Sequence, residues 1–339
     1  MIMFLLLFLI VNFLIFFNLD FLSKLININD LPDKKLKLHK NKTPLAGGII
    51  IFFNLLITVV WQSFFSDNFL MLDKIILSKR DILSIIFLMF SFFLVGLYDD
   101  KYHVAPLNKL LFVILVSIIV LLINNDLIIS NLSFSFLKNK IFLNNLSFFF
   151  TIFCIVILKN ALNFYDGVNG QSGIYYLVVF LFLFLISDYN FFYLTIIVSL
   201  IFVLLLNLYN KVFFGDNGVY LVSTLIIISL IYEYNLTKNI LYADQIFLIL
   251  ILPGIDLVRL TIERLVLGKN PLFGDRNHLH HLLIKKFNLM ITNVFLLILN
   301  ILPIVLFYLD IKFINICILF LTIYLIIIIF LKKSQSSNR

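Results

Sequence analysis

The sequence predicts an all-α polytopic membrane protein of about eleven transmembrane helices, and three observations carry that expectation. Of 339 residues, 62% are hydrophobic and only 13% charged, with 40 phenylalanines; a soluble domain lies nearer half apolar and a quarter charged. Several apolar runs approach or exceed the ~18–20 residues that a helix needs to cross a bilayer. The polar motifs fall at the ends of such runs, and all on connections of one parity. Soluble architectures are excluded, because a chain of this composition crosses lipid and must close its backbone hydrogen bonds inside helices.

The expected spans are 2–19, 47–65, 82–98, 107–123, 147–163, 172–187, 191–209, 217–233, 245–266, 290–308 and 311–331, each an apolar run bounded by polar or turn-forming residues. Residues 124–146 interrupt the helical pattern. Their segment LSFSFLKNKIFL alternates weakly around Lys138-Asn139-Lys140, which predicts a small hairpin. No internal repeat is visible. The whole chain, 1–339, is expected to form one polytopic domain ending in a short polar tail at 331–339. Cys154 and Cys317 lie inside apolar runs and read as small buried residues, not as a disulfide pair. Residues 2–17 lack a basic flank and a small-residue cleavage site, so the first span is expected to be retained rather than removed as a signal peptide.

Charge sets the expected orientation. With the N-terminus outside, the odd-to-even connections and the C-terminus collect 19 of the 26 Lys and Arg, the bias that cytoplasmic loops show. The formal charge of +8 then reflects membrane orientation and not nucleic-acid binding. An N-out, C-in arrangement puts the hairpin on the extracytoplasmic side.

Five motifs share the cytoplasmic side in this arrangement: KLHKNKTPLAGG after span 1, GLYDD at the end of span 3, NALNFYDGVNG at the end of span 5, FFGDNG after span 7 and GDRNHLHHLL after span 9. Asp99 and Asp100 are adjacent acids at a helix C-terminus, where mutual repulsion and the helix dipole both oppose ionisation; a nearby cation would relieve both, and a solvated helix end is the plainer alternative. In FFGDNG, Gly215 and Gly218 permit a tight turn around Asp216, either an ordinary turn or a close approach of backbone to phosphate. Asn160 and Asn163 share a helix face and, with Asp166 and Asn169, supply oxygens of the kind that Mg²⁺ takes; a structural loop would use the same residue types. Arg276 beside His278, His280 and His281 suits a diphosphate or sugar clamp, since guanidinium meets phosphate bidentately. Zinc is disfavoured there for lack of further ligands at the usual spacing, and a basic loop against lipid headgroups is the alternative.

Taken in order, these motifs resemble the polyprenyl-phosphate N-acetylhexosamine-1-phosphate transferases, or glycosyltransferase family 4. The HLHH form is similar to the bacterial branch that begins O-antigen, common-antigen or teichoic-acid linkage synthesis. The likeness covers about residues 30–285. It implies transfer of N-acetylhexosamine 1-phosphate, with GlcNAc-1-phosphate the first choice, from a UDP-sugar to polyprenyl phosphate with release of UMP. By the same resemblance, Asp99 and Asp100 match the pair that activates the lipid phosphate. Asp216 matches a Mg²⁺ ligand, with Asn163 a second metal contact and Mn²⁺ a substitute. Phe213 matches an aromatic that stacks on uracil, Asp166 and Asn169 the nucleoside-binding segment, and Lys109 a phosphate-holding lysine. Arg276 to His281 match the sugar-side loop, and Asn160 joins the substrate-binding set. Asn169 stands where many bacterial members carry Asp, which puts in question any role needing charge there. The implied setting is the bacterial inner or plasma membrane with a cytoplasmic site, a UDP-N-acetylhexosamine, polyprenyl phosphate and membrane lipid as partners, no nucleic acid, and room for a homodimer. The rival class is a secondary transporter using intramembrane acids. It would place binding groups near the midplane of repeated halves, whereas these motifs sit at one edge.

Overall fold

Long apolar runs become helices here because a helix satisfies its own backbone, and Phe, Leu and Ile side chains can cover it on every side. The computed structural model describes residues 2–31, 42–65, 79–187, 190–235, 241–270 and 276–336. Among them the chain forms α1 (Ile2–Phe17), α2 (Leu19–Ile26), α3 (Gly47–Phe65), α4 (Lys79–Tyr102), α5 (Pro106–Ile123), α6 (Ser147–Tyr165) and α7 (Gln171–Ile186). It continues with α8 (Asn190–Leu208), α9 (Gly215–Asn235), α10 (Ala243–Val266), α11 (Leu279–Ile284), α12 (Leu289–Tyr308) and α13 (Phe313–Ser336). Eight of these, α4, α5, α6, α8, α9, α10, α12 and α13, contain stretches long and apolar enough to cross a membrane. The expected spans at 2–19, 47–65 and 172–187 correspond to shorter apolar helices, Leu6–Phe17, Gly47–Trp61 and Gln171–Ile186.

The first expected span ends early. The Asn18 side chain donates to the Leu14 carbonyl at 2.8 Å, a local bond that competes with helix continuation. A separate short helix, α2, follows and ends on Asn27 in the left-handed region, at φ 50°. The expected hairpin is present as β3 (Asn131–Leu132) and β4 (Ile141–Phe142), antiparallel, with Asn131 opposite Phe142 and Leu132 opposite Ile141. Two residues per strand do not hold a hairpin alone. This one is held by the Tyr234 hydroxyl, which accepts from the Ser133 N–H at 2.7 Å and donates to the Asn131 carbonyl at 3.0 Å, and by Asp244, which accepts from the Ser135 N–H at 3.0 Å. A second antiparallel pair, β1 (Asn29–Asp30) with β2 (Thr43–Pro44), was not visible in the sequence. The expected motif KLHKNKTPLAGG begins at 37, and its residues 37–41 lie outside the described set.

The chain packs as two compact units, residues 1–104 with 180–225, and residues 105–179 with 226–339. In the first, α3 lies along α8, and Phe4, Phe8 and Phe191 form an aromatic cluster. Asn12 on α1 and Asn54 on α3 exchange amide hydrogen bonds at 3.2 and 2.9 Å, which satisfies two groups that hydrocarbon would leave unpaired. In the second, α6 packs on α5 and α10, and α12 on α10, α11 and α13.

Candidate active site

Within the first unit, the C-terminal end of α4 meets the opening turn of α9. Gly96 makes this possible: a Cβ there would lie 2.5 Å from the Asp216 carbonyl oxygen and 2.6 Å from the Asn217 Cα. One helical turn later Asp100 faces the same turn. Its Oδ1 accepts from the Asp216 N–H at 2.7 Å, and its Oδ2 accepts from the Asn217 N–H at 3.0 Å and from the Asn217 side-chain amide. The first N–H groups of a helix have no intrahelical acceptor, and a carboxylate also complements the positive end of the dipole. Asp100 is therefore the cap of α9, supplied from another helix. Backbone donors thus meet part of the charge of Asp100 for which the sequence suggested a cation.

Asp99 faces elsewhere. It is buried, and its Oδ1 accepts from the Val104 N–H at 2.8 Å, closing the chain's exit from α4. Gly215 sits at φ 68°, where a side chain would be strained and a Cβ would come within 2.8 Å of Asp100 Oδ2. The turn is braced from the other side by TPLAGG. The Phe213 N–H donates to the Pro44 carbonyl at 3.0 Å, the Gly47 N–H to the Phe213 carbonyl at 2.9 Å, and the Asn217 side chain to the Leu45 carbonyl at 3.1 Å. Asp216 is half-buried in the first turn of α9. Asp100, Phe213 and Asp216 thus belong to one constellation that joins three of the five sequence motifs, GLYDD, FFGDNG and the TPLAGG end of the first, while the neighbouring Asp99 closes the exit from α4.

Within the second unit, α6 delivers Asn160 and Asn163, both half-buried, to its C-terminal turns. Asp166 caps that helix in an extended conformation, with its N–H on the Asn163 carbonyl at 3.3 Å and its carboxylate accepting from the Ser172 hydroxyl. Burial raises the Asp166 pKa to about 6, and the Ser172 bond partly offsets this. The Asn169 carbonyl accepts from the Asn293 amide at 2.9 Å, so this residue's backbone has a structural bond whatever its side chain does. Gly167 has no room for a Cβ, which would fall 2.0 Å from His280 Nε2. Lys109 lies in the first turn of α5, behind Pro106 at the helix start.

The histidines stack. His278 lies over Phe164 with centroids 5.9 Å apart and on His280 at 5.2 Å, and His280 meets His281 at 4.3 Å. His280 Nδ1 is 2.9 Å from Gln171 Nε2; an amide nitrogen only donates, so Nδ1 accepts and the ring proton is on Nε2. Burial, and then the neighbouring His281 and His278, hold His280 well below the usual imidazole range. Burial, with His278 and Arg276 next, lowers His281 to about 4. Both rings are therefore neutral near pH 7. Arg276 is half-buried, and its Nε finds no partner among the described residues.

Sequence reasoning missed a buried charged group behind these rings. Asp256 and Arg259 on α10 form an ion pair at 2.8 Å, and Asp256 Oδ2 accepts from His278 Nδ1 at 2.8 Å. Arg264 reaches to 3.5 Å of His278 Nε2 and lies over the Phe164 ring. Gln171, Ser172, Asn293 and Tyr324 were missed too. A signal existed for α10: charges at 256, 259, 263 and 264 inside an apolar span are costly enough to mark function or a specific partner. The sequence reading used the two arginines only to orient the chain.

The helices and these polar constellations define a polytopic membrane protein with ionisable groups at its helix ends and a buried ion pair inside α10. Residues 82–233 match the family model described as glycosyl transferase family 4. The undecaprenyl-phosphate alpha-N-acetylglucosaminyl 1-phosphate transferase of Escherichia coli O157:H7 is 24% identical over 275 residues, covering 78% of this chain and 71% of that protein. The enzyme of the same name in Salmonella typhi is 25% identical over 272 residues, 77% and 70% of the two chains. A probable undecaprenyl-phosphate N-acetylglucosaminyl 1-phosphate transferase of Bacillus subtilis strain 168 is 24% identical over 268 residues, 75% and 69%. With the ordered motifs, these likenesses make the chain similar to glycosyl transferase family 4 over residues 82–233.

Proposed function

We propose that this chain transfers GlcNAc-1-phosphate from UDP-GlcNAc to undecaprenyl phosphate, releasing UMP, as the first membrane step of a cell-envelope polysaccharide pathway. The observation that carries the reading is the Asp100-capped turn bearing Asp216, in a chain whose relatives over three quarters of its length bear that activity in their names. An oxygen of the lipid phosphate attacks the sugar-linked phosphorus of the donor. The bond from that phosphorus to the UMP oxygen breaks, and UMP leaves.

Three acids divide the work. Asp100 has its oxygens engaged by three donors from Asp216 and Asn217, so its part is to hold the Asp216 turn in place. Asp99 is then the acid assigned to position or deprotonate the acceptor phosphate. Asp216 and Asn163 offer hard oxygens, the donor type that Mg²⁺ prefers. When bound, Mg²⁺ supplies neutralisation of the diphosphate and of the departing UMP, and Mn²⁺ is expected to substitute. Phe213 stacks on the uracil, and Asp166, Asn169 and Asn160 recognise the nucleoside. Lys109 and Arg276 contribute fixed positive charge to the phosphates, and the neutral His280 and His281 serve as hydrogen-bonding groups to the sugar. Counting the three shorter apolar helices gives eleven crossings, and the Lys/Arg bias gives an N-out, C-in orientation with the site on the cytoplasmic face of a bacterial inner membrane.

The test is direct. Detergent-solubilised protein should release UMP from UDP-GlcNAc only when undecaprenyl phosphate and Mg²⁺ are both supplied. Absence of release across a panel of UDP-N-acetylhexosamines, at saturating lipid and metal, would defeat the reading.

A further inference from the structure

Asp256 is 3% exposed, in the interior of α10. A carboxylate in such a place is stable only where its lone pairs are met, and four donors meet them. Oδ1 accepts from Arg259 Nη2 at 2.8 Å, the Tyr324 hydroxyl at 2.6 Å and the Leu279 N–H at 3.2 Å, and Oδ2 accepts from His278 Nδ1 at 2.8 Å. An ionised carboxylate has about four acceptor positions. Three of the four donors fall on Oδ1, which is saturated, and His278 holds Oδ2.

That settles a second possibility. Donor atoms of Asp256, His278 and His280 lie within 4.8 Å of one another, a spacing that a metal ion could use. But Asp256 Oδ1 is saturated by donors, a guanidinium lies against it, and Oδ2 is met by His278 Nδ1, which carries a proton because a carboxylate only accepts. The cluster is a hydrogen-bonded mount and not a metal centre.

The same two residues also grip the backbone on both sides of His278. Arg259 Nη2 donates to the Asn277 carbonyl at 2.7 Å, while Asp256 takes the N–H of Leu279. Tyr324, from α13, accepts from Arg259 Nε at 2.6 Å as it donates to Asp256. Residues 277–279 are thus fixed at a carbonyl, a ring and an amide by one ion pair. Arg264 is a donor only, so its approach to His278 Nε2 selects the same tautomer from the other side of the ring.

We propose that Asp256, braced by Arg259 and Tyr324, is a positioning residue that mounts the histidine loop for binding the diphosphate-linked sugar of the donor. The inference rests on the reading of that loop as the sugar-side clamp. Asp256 touches no reacting atom and acts through His278. Asp256→Asn is nearly isosteric but turns an NH₂ group toward His278 Nδ1, forcing the other tautomer and setting an N–H against Arg264.

The experiment is a double-mutant cycle of Asp256→Asn and His278→Gln in the full-length protein, read in steady-state kinetics and in melting temperature, with Tyr324→Phe as a milder variant. Asp256→Asn should raise the KM for UDP-GlcNAc about ten- to a hundredfold with the KM for undecaprenyl phosphate within about twofold. Tyr324→Phe should do the same about threefold. The double mutant should be no worse than the poorer single mutant, since residues in one network are non-additive. Losses that multiply, or equal changes in both KM values, would overturn the proposal. If the wild-type protein releases no UMP, the functional reading fails separately, and the melting cycle still judges the mount: coupled shifts support it, and additive shifts refute it.

Discussion

The two polar constellations solve the same problem in opposite ways. Around α9 the charge of Asp100 is met mostly by the main chain, through the N–H groups of Asp216 and Asn217. Around α11 the charge of Asp256 is met mostly by side chains, those of Arg259, Tyr324 and His278. A group fixed by backbone donors depends on where two helices run, so it is sensitive to any added bulk between them, as the space at Gly96 shows. A group fixed by side chains depends on which residues are present and can be retuned one substitution at a time. On the proposed reading, the first arrangement suits a reaction centre that must not move. The second, on the same reading, suits a recognition loop that must differ between donors.

Asp216→Asn should have the largest effect on turnover. Loss of a ligand to a catalytic metal costs several kcal/mol of barrier, roughly a thousandfold. UMP release at saturating Mg²⁺ measures this, and full activity would remove Asp216 from the metal site. Asp100→Asn should lose activity and stability together. Hydrogen bonds to a charged group contribute about 1.5–3 kcal/mol each, and an amide cannot accept at both positions, so a fall of several degrees in melting temperature is expected. A variant that melts like wild type but is inactive would make Asp100 a reacting group and collapse the comparison.

Arg276→Ala should be milder, costing about ten- to a hundredfold in kcat/KM through the UDP-sugar. If only the KM for the lipid rose, the loop would be a headgroup contact. The smallest effect concerns pH. The folded-state pKa of His281 is about 4, below the unfolded value of about 6.5. Between these values the unfolded chain binds more protons, so stability is fully present above about pH 6.5 and declines as pH falls toward 4. His281→Gln should flatten that limb of a melting-temperature profile. A steeper limb in the variant would reverse the assigned direction.

Local and periodic features were legible in the sequence. Apolar runs marked the helices, and the weak alternation around Lys138 marked the hairpin. Asp99, Asp100 and Asp216 stood out because acids beside glycines at the ends of apolar runs are unusual. What escaped was long in sequence separation. The partners of Asp100 lie 116 and 117 residues away, and Tyr324 reaches Asp256 across 68, and no spacing rule predicts such pairings. The short α2 and α11 escaped because six to eight residues carry too little pattern. The β1–β2 pair escaped because two-residue strands take their register from tertiary contacts such as the Leu45 N–H on the Ile28 carbonyl.

The hairpin between α5 and α6 also makes the protein convenient to tag. Its tip, Lys138-Asn139-Lys140, is exposed, while Tyr234, Asp244 and the stacking of Phe136 on Phe313 secure its base. Exposed loop tips with secured bases accept insertions. A short epitope after Asn139 would therefore ride on a folded, working protein, and antibody access to it in intact cells would report the sidedness of the membrane insertion without altering a single span.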